Sequence, residues 1–321
     1  MWDKRSISLS LPMAEKRPTG NEVSLLIISL RQSFVLLRKN DPLRMAGATA
    51  FFTTFALPPI VFILAQLFGF FIGQRNMGRA LIENISDTLG KDGAEQVRQV
   101  IRSIRGFSNS WYVLVLGFIF LVFIATTLFS VIKNSLDQIW KISVKENAGL
   151  LFMLSVRARS FAVILLAGIL FFADLLLESL QVLAGNYADE ILNWGSVYFK
   201  SAIKQIASVI IVATWFILLF RYLADGRPTW KASIVGGLLT GILFTAGKLL
   251  LRYLLVTSNI GNLYGTSGSF VLVLLFVFYS SFIMYYGACF IAVYSENKQW
   301  PVMPNTKAYT YRMQKLKKPI V

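Results

Sequence analysis

The chain has 321 residues, of which 55% are hydrophobic and 15% are charged, with one cysteine and no histidine. Soluble domains are about 25% charged, so this composition excludes a water-soluble fold and indicates a membrane protein. Cys289 alone cannot form an internal disulfide or a multi-cysteine zinc site, and the commonest general base is absent. We predict that the chain is not an enzyme and uses no catalytic residue, metal ion or cofactor.

The net charge of +16 has two interpretations. Strongly basic proteins can bind nucleic acid. Alternatively, a membrane protein can carry its Lys and Arg in cytoplasmic loops, where they face anionic lipid headgroups. Here the basic residues fall in the connections between apolar segments and form no continuous stripe. We therefore expect membrane lipids, anionic ones above all, as partners, and no nucleic acid.

The N-terminal region begins with residues 1–20, which hold no apolar core of signal-peptide length and are expected to be flexible. The next stretch, EVSLLIISLRQSFVLLRKND, predicts an amphipathic helix in the cytoplasmic interface. Asp41-Pro42 ends this helix. Its apolar positions recur at helical spacing, with basic residues among the polar positions: Val23, Leu26, Ile27, Leu30, Phe34 and Leu37, and Arg31, Arg38 and Lys39.

Six segments reach the roughly 20 apolar residues that a bilayer span needs, and none alternates like a barrel strand. The sequence predicts an all-α, polytopic fold: one membrane domain over 21–296, followed by a basic cytoplasmic tail over 297–321. Lys and Arg in the connections number 22 on the side of both termini and eight on the other, which predicts cytoplasmic termini. The predicted spans are 45–73, 111–132, 161–184, 202–220, 232–256 and 269–294.

The first span and the loop after it carry two unusual features. Pro58 and Pro59 in the middle of the span remove backbone donors and predict a kink, which serves as a gate or, more commonly, as a packing bend. The loop over 74–110 predicts two extracytoplasmic helices separated by a Gly-containing break. Arg98, Arg102 and Arg105 share one face of the second helix, where they contact lipid phosphates or form a solvated face.

Charged residues also occur inside two predicted spans. Asp174 and Glu178 are four residues apart in the third span, as are Lys248 and Arg252 in the fifth. A charge at the bilayer centre costs roughly 2.5–3.5 kcal/mol. With a rise of about 1.5 Å per residue, all four fall in the same outer layer of the membrane. We expect them to pair around a polar cavity, although snorkelling to the headgroups explains Arg252 equally well.

Small residues at four-residue spacing in the fifth span predict close approach of a neighbouring helix. We call them the small-residue face; they are Ser233, Gly237, Gly241 and Thr245.

Several spaced patterns resemble the YihY/BrkB family over roughly 21–296. They are DPLRMAGATAFFTTFALPPIVFIL, FIATTLFSVIKNSLDQIWKI, LADGRPTWKASIVGGLLTGILFTAGK and YGTSGSFVLVLLFVFYSSFIMYYGACFIAVY. The chain departs from the family in having Phe51-Phe52 for paired tyrosines, Cys289 for a glutamate, and Ala224 for a proline. The resemblance implies a bacterial inner-membrane protein with six spans and both termini inside. Members have been labelled "ribonuclease BN", and others are linked to virulence, serum resistance or lipid trafficking.

The sequence leaves three candidate functions. We predict a transporter-like protein that handles an anionic lipid or another envelope component. The alternative is a non-catalytic scaffold or assembly partner that binds another envelope protein. Ribonuclease activity is disfavoured, because metal-assisted phosphodiester cleavage needs clustered carboxylates or histidines and the acids here are scattered.

Overall fold

The computed structural model describes residues 22–56, 111–144, 197–257, 268–305 and 308–311, together with short helical pieces between 158 and 170. Most of these residues are helical. Six helices lie within the longer described ranges, in this order: α1 (Glu22–Lys39), α2 (42–56), α3 (Trp111–Trp140), α4 (Val197–Tyr222), α5 (Trp230–Thr257) and α6 (Gly268–Asn297).

Three of these helices are long and apolar enough to cross a membrane: Gln205–Tyr222, Trp230–Leu250 and Val273–Asn297. They overlap the last three predicted spans, 202–220, 232–256 and 269–294. α3 is helical throughout the predicted second span. Of the first and third predicted spans, only 45–56 and a few residues up to 170 are described, and the loop over 74–110 lies outside the described residues. A helical multi-pass membrane protein is thus confirmed, and the total of six spans stays a prediction.

α5 packs between α4 and α6, and glycines set both contacts. A Cβ on Gly241 would lie 2.9 Å from the Cα of Ala213 in α4, and one on Gly237 would lie 2.9 Å from the backbone nitrogen of Ile217. On the other side, a Cβ on Gly236 would collide with Ile291 of α6. Larger side chains at these positions would push the helices apart.

The start of α5 is fixed by a polar cap. The Thr229 hydroxyl accepts a hydrogen bond from the Ala232 backbone N–H (3.4 Å), which satisfies one of the free donors at a helix N-terminus. Pro228 precedes this cap and cannot extend α4. The four-residue spacing then carries Ser233 and Thr245 of the small-residue face into buried positions.

The face of α1 that packs on the protein shares only Leu37 with the predicted apolar stripe. Leu25, Ser29, Ser33 and Leu37 are buried, and the Ser33 hydroxyl donates to the Ser29 carbonyl (2.5 Å). α1 ends at Lys39, and the chain turns into α2 through Asp41, whose φ of 51° lies in the left-handed region.

Within the described residues, four strands of two or three residues each accompany the helices. They are β1 (Ile142–Val144), β2 (Gly226–Arg227), β3 (Met303–Pro304) and β4 (Ala308–Thr310). β1 pairs antiparallel with β4, and β2 pairs antiparallel with β3. The first part of the predicted tail is therefore held against the end of α3 and the α4–α5 turn, because β3 and β4 both belong to it.

The main buried core lies between α3, α4 and α6, with the end of α1 packed on it. Its largest fully buried side chains include Leu37 of α1, Leu136 of α3, Phe220 of α4 and Tyr285 of α6. This core brings the C-terminal end of α3 beside the α4–α5 turn, where several charged side chains are enclosed.

Candidate functional site

A cluster of four charged side chains joins α3, the α4–α5 turn and Arg159, which lies two residues before the predicted third span. Lys133 Nζ lies 2.9 Å from Asp137 Oδ2 and 2.6 Å from Asp225 Oδ2. Arg159 Nη1 lies 2.9 Å from Asp225 Oδ1. The Asp225 side chain is only 1% exposed, and that of Arg159 is 23% exposed. We call these four residues the charge cluster.

The second oxygen of Asp137 holds the α4–α5 turn in place. Asp137 Oδ1 accepts hydrogen bonds from the backbone N–H groups of Asp225 (2.9 Å) and Gly226 (3.2 Å). The Asp225 carbonyl in turn accepts a hydrogen bond from the Asn305 N–H (2.8 Å), so the tail is attached to the same turn. One carboxylate therefore connects α3 to a turn almost 90 residues further along the chain.

The helix geometry of α3 and a glycine make this junction possible. Lys133 and Asp137 are four residues apart, so they lie on one face of α3 and can pair. One turn beyond, the Trp140 indole N–H donates to the Ala288 carbonyl of α6 (3.0 Å). A Cβ on Gly226 would lie 2.5 Å from Trp140 Cε3 and 2.7 Å from Ile142 Cδ1, so only glycine fits here.

The formal charges of the cluster cancel, because two carboxylates face one ammonium and one guanidinium. Burial raises the pKa of the Asp137 carboxyl, and the nearby Lys133 ammonium opposes that rise. A buried charge needs a close partner of opposite sign, and each member of the cluster has one. Within the described residues no group of three Asp, Glu, His or Cys side chains could hold a metal ion.

A second buried polar contact lies deeper in the bundle, between α2 and α6. The Thr49 hydroxyl donates to the Met45 carbonyl (3.0 Å), and its oxygen lies 2.5 Å from the Tyr285 hydroxyl oxygen. Because the one proton of Thr49 is committed to Met45, Tyr285 is the donor in the second bond. Ser135 of α3 also hydrogen-bonds to Tyr285, which is fully buried.

Comparison with known proteins identifies the family. A family model described as virulence factor BrkB matches residues 34–308. The chain belongs to the BrkB family. This confirms the resemblance seen in the sequence patterns.

Relatives of this BrkB-family chain are named as UPF0761 membrane proteins. One from Pseudomonas paraeruginosa is 23% identical over 86% of this chain, which spans 62% of that relative's length. One from Aggregatibacter aphrophilus is 25% identical over 80% of this chain and 88% of its own length. One from Haemophilus influenzae is 24% identical over 82% of this chain and 94% of its own length. No solved structure matches.

The residues predicted to carry function in this BrkB-family chain are only partly described. Lys248 lies in α5 and is partly buried, and no described residue forms an ion pair or hydrogen bond with it. Arg252 is also in α5. The remaining predicted positions lie outside the described residues: Asp174, Glu178, Arg98, Arg102, Arg105, Pro58 and Pro59. The expected pairing of Asp174 and Glu178 with the α5 cations stays a prediction.

Sequence reasoning missed the charge cluster although its parts stand in the family patterns. Lys133 and Asp137 lie in VIKNSLDQIW, and Asp225 lies in LADGRP. A Lys and an Asp four residues apart at the end of an apolar helix were a usable signal, because such a pair can be buried. Nothing in the local sequence linked that pair to Asp225 or to Arg159.

Proposed function

We propose that this BrkB-family chain is a transporter-like protein of a bacterial inner membrane, with both termini in the cytoplasm, that handles an anionic lipid or another envelope component. The observation that carries the proposal is Lys248. Lys248 is a partly buried residue in a helix that is long and apolar enough to cross a membrane, and no described residue pairs with it. A cation at such a depth is a functional-site candidate by default.

The surroundings of Lys248 favour an anionic ligand from the lipid side. The Tyr279 ring of α6 packs directly against Gly247, so the α6 side next to Lys248 is filled by an aromatic ring. Leu249 and Leu250 after it are exposed, at 52% and 54%, as expected of side chains that face lipid tails. An ammonium placed here gains most from a phosphate headgroup or from a carboxylate of the predicted third span.

Mass spectrometry of the lipids retained after gentle purification tests the proposal. Lys248→Ala should retain less anionic lipid than the wild type, and Lys248→Arg, which keeps the charge, should retain a similar amount. Lys231→Ala is the matched control, because Lys231 lies at the other end of α5 and its ammonium sits 5.3 Å from the centre of the Trp300 ring. Identical lipid profiles for the wild type and Lys248→Ala would overturn a headgroup role for this residue.

The predicted pairing has its own test. If Asp174 and Lys248 form an ion pair, Asp174→Lys combined with Lys248→Asp should restore folded protein relative to either single variant. If the double variant yields no more folded protein than either single variant, the pairing is rejected.

A scaffold is the second candidate function. The end of the bundle that is predicted to face the cytoplasm favours it. The charge cluster and two strand pairs join four separate parts of the chain there, which offers a fixed surface for another envelope protein. Co-purification of one such protein in a stoichiometric amount would test this function. Met303 in β3 is exposed, so Met303→Asp should abolish the co-purification, whereas Lys248→Ala should leave it unchanged. This pair of results would favour a scaffold over a transporter.

A further inference from the structure

One face of α1 carries exposed apolar side chains that the protein core does not use. Val23, Ile27 and Phe34 are 66%, 61% and 50% exposed. They fall within about 40° of one another around the helix axis at 100° per residue. The buried side of α1 is made by other residues, with Ser29 and Ser33 at its centre. The exposed apolar side chains thus form a second, separate face, which we call the α1 face.

Hydrogen bonds hold α1 at the C-terminal end of a membrane span. The Tyr286 hydroxyl donates to the Leu30 carbonyl (3.0 Å), and the Asn297 side-chain amide donates to the Ser29 hydroxyl (3.0 Å). Glu22 also forms an ion pair with Lys298. Because α6 is long and apolar enough to cross a membrane and ends at Asn297, these contacts put α1 beside the expected boundary between the bilayer and water.

Arginines border the α1 face. Arg31 follows Ile27 by four residues and Arg38 follows Phe34 by four, so each arginine is the surface neighbour of an apolar side chain. Both arginines are exposed, and no carboxylate among the described residues pairs with either. Exposed apolar residues with adjacent basic residues are the combination that binds an anionic bilayer surface.

We propose that the α1 face, defined by Val23, Ile27, Phe34, Arg31 and Arg38, binds anionic phospholipid headgroups at the surface of the membrane that holds the chain. The apolar side chains enter the acyl-chain boundary, and the two guanidinium groups contact lipid phosphates. This site does not depend on the proposed transport role, because the predicted topology puts Lys248 at the opposite membrane surface.

A single environment-sensitive probe tests the proposal on the full chain. In a Cys289→Ala background, which removes the only native thiol, Phe34→Cys is labelled with a nitrobenzoxadiazole probe. The protein is placed in vesicles that contain spin-labelled phosphatidylglycerol or spin-labelled phosphatidylcholine. Met303→Cys is the matched control, because Met303 is 60% exposed in strand β3. We expect strong quenching at position 34, weak quenching at 303, and stronger quenching by the anionic lipid.

The charge variants separate the two parts of the proposal. Arg31→Gln with Arg38→Gln should reduce the preference for phosphatidylglycerol by about fivefold per arginine at low salt, and Arg31→Lys with Arg38→Lys should keep it. Equal quenching at positions 34 and 303 would overturn lipid contact. Equal quenching by both lipids would overturn anionic selectivity. Energy transfer between labelled copies, without lipid quenching, would show that a second chain covers the face.

Discussion

Replacing Asp225 by Asn should unbalance the charge cluster. The Asp225 carboxylate forms ion pairs with Lys133, at 2.6 Å, and with Arg159, at 2.9 Å. Coulomb's law at an effective dielectric constant of about 20 gives about 6 kcal/mol for each contact before desolvation is subtracted. Removing one partner of a buried ion pair costs about 3–5 kcal/mol in practice, because a buried charge loses its counterion. That is a large part of the ~5–15 kcal/mol that stabilises a typical fold.

Thermal unfolding of the purified protein in detergent, followed by size-exclusion chromatography, measures this effect. Asp225→Asn should lower the midpoint temperature clearly. Glu22→Gln, which removes the exposed ion pair with Lys298, is the matched control and should change it little. Adding Lys133→Gln to Asp225→Asn restores neutrality, so the double variant should be more stable than the sum of the single effects predicts.

Two results would refute this reasoning. If Asp225→Asn melts no lower than Glu22→Gln, the cluster does not stabilise the fold. If the effects of Lys133→Gln and Asp225→Asn are simply additive, the loss comes from packing and hydrogen bonds and not from charge balance.

The other predictions concern the surroundings of the cluster and the deeper polar contact. Gly226→Ala should lower the unfolding temperature, because a Cβ there would lie 2.5 Å from a carbon of the Trp140 indole. Gly47→Ala is the control and should leave the temperature unchanged, because no atom lies within 4 Å of a Cβ at that position. Tyr285→Phe should cost about 1 kcal/mol of unfolding free energy by leaving the Thr49 oxygen without its donor; an unchanged midpoint would contradict the bond. Deleting residues 301–321 removes β3 and β4 and should make the α4–α5 turn sensitive to limited proteolysis; an unchanged cleavage pattern would contradict the role of the strands.

The membrane helices could be predicted from the sequence because each depends on a local property. α4, α5 and α6 are long apolar segments, and length and hydropathy suffice to find such segments. The helical form of α1 was equally visible from the spacing of its apolar residues.

The buried face of α1 could not be predicted, because apolarity does not separate a side that faces lipid from a side that faces protein. Ser29 and Ser33 are buried since small side chains allow α1 to approach α6 closely, and Ser33 satisfies its own hydroxyl within the helix. The more apolar residues Val23 and Ile27 are left exposed.

The charge cluster and the strands were hidden for another reason. Asp137 contacts residues 88 and 89 positions further along the chain, and strands of two or three residues leave no periodic pattern. Such long-range pairings depend on how the helices assemble, and a single sequence carries no direct record of that assembly.

The pairing of β4 with β1 has a consequence for biosynthesis. Residues 142–144 form β1, and their partner strand is at 308–310. After β1 is synthesised, roughly half of the polypeptide must still leave the ribosome before β1 can pair. Until then the newly inserted helices expose an unfinished surface to the chaperones and proteases of the cell. Chains that end before residue 308 would leave the β1 edge without this partner strand.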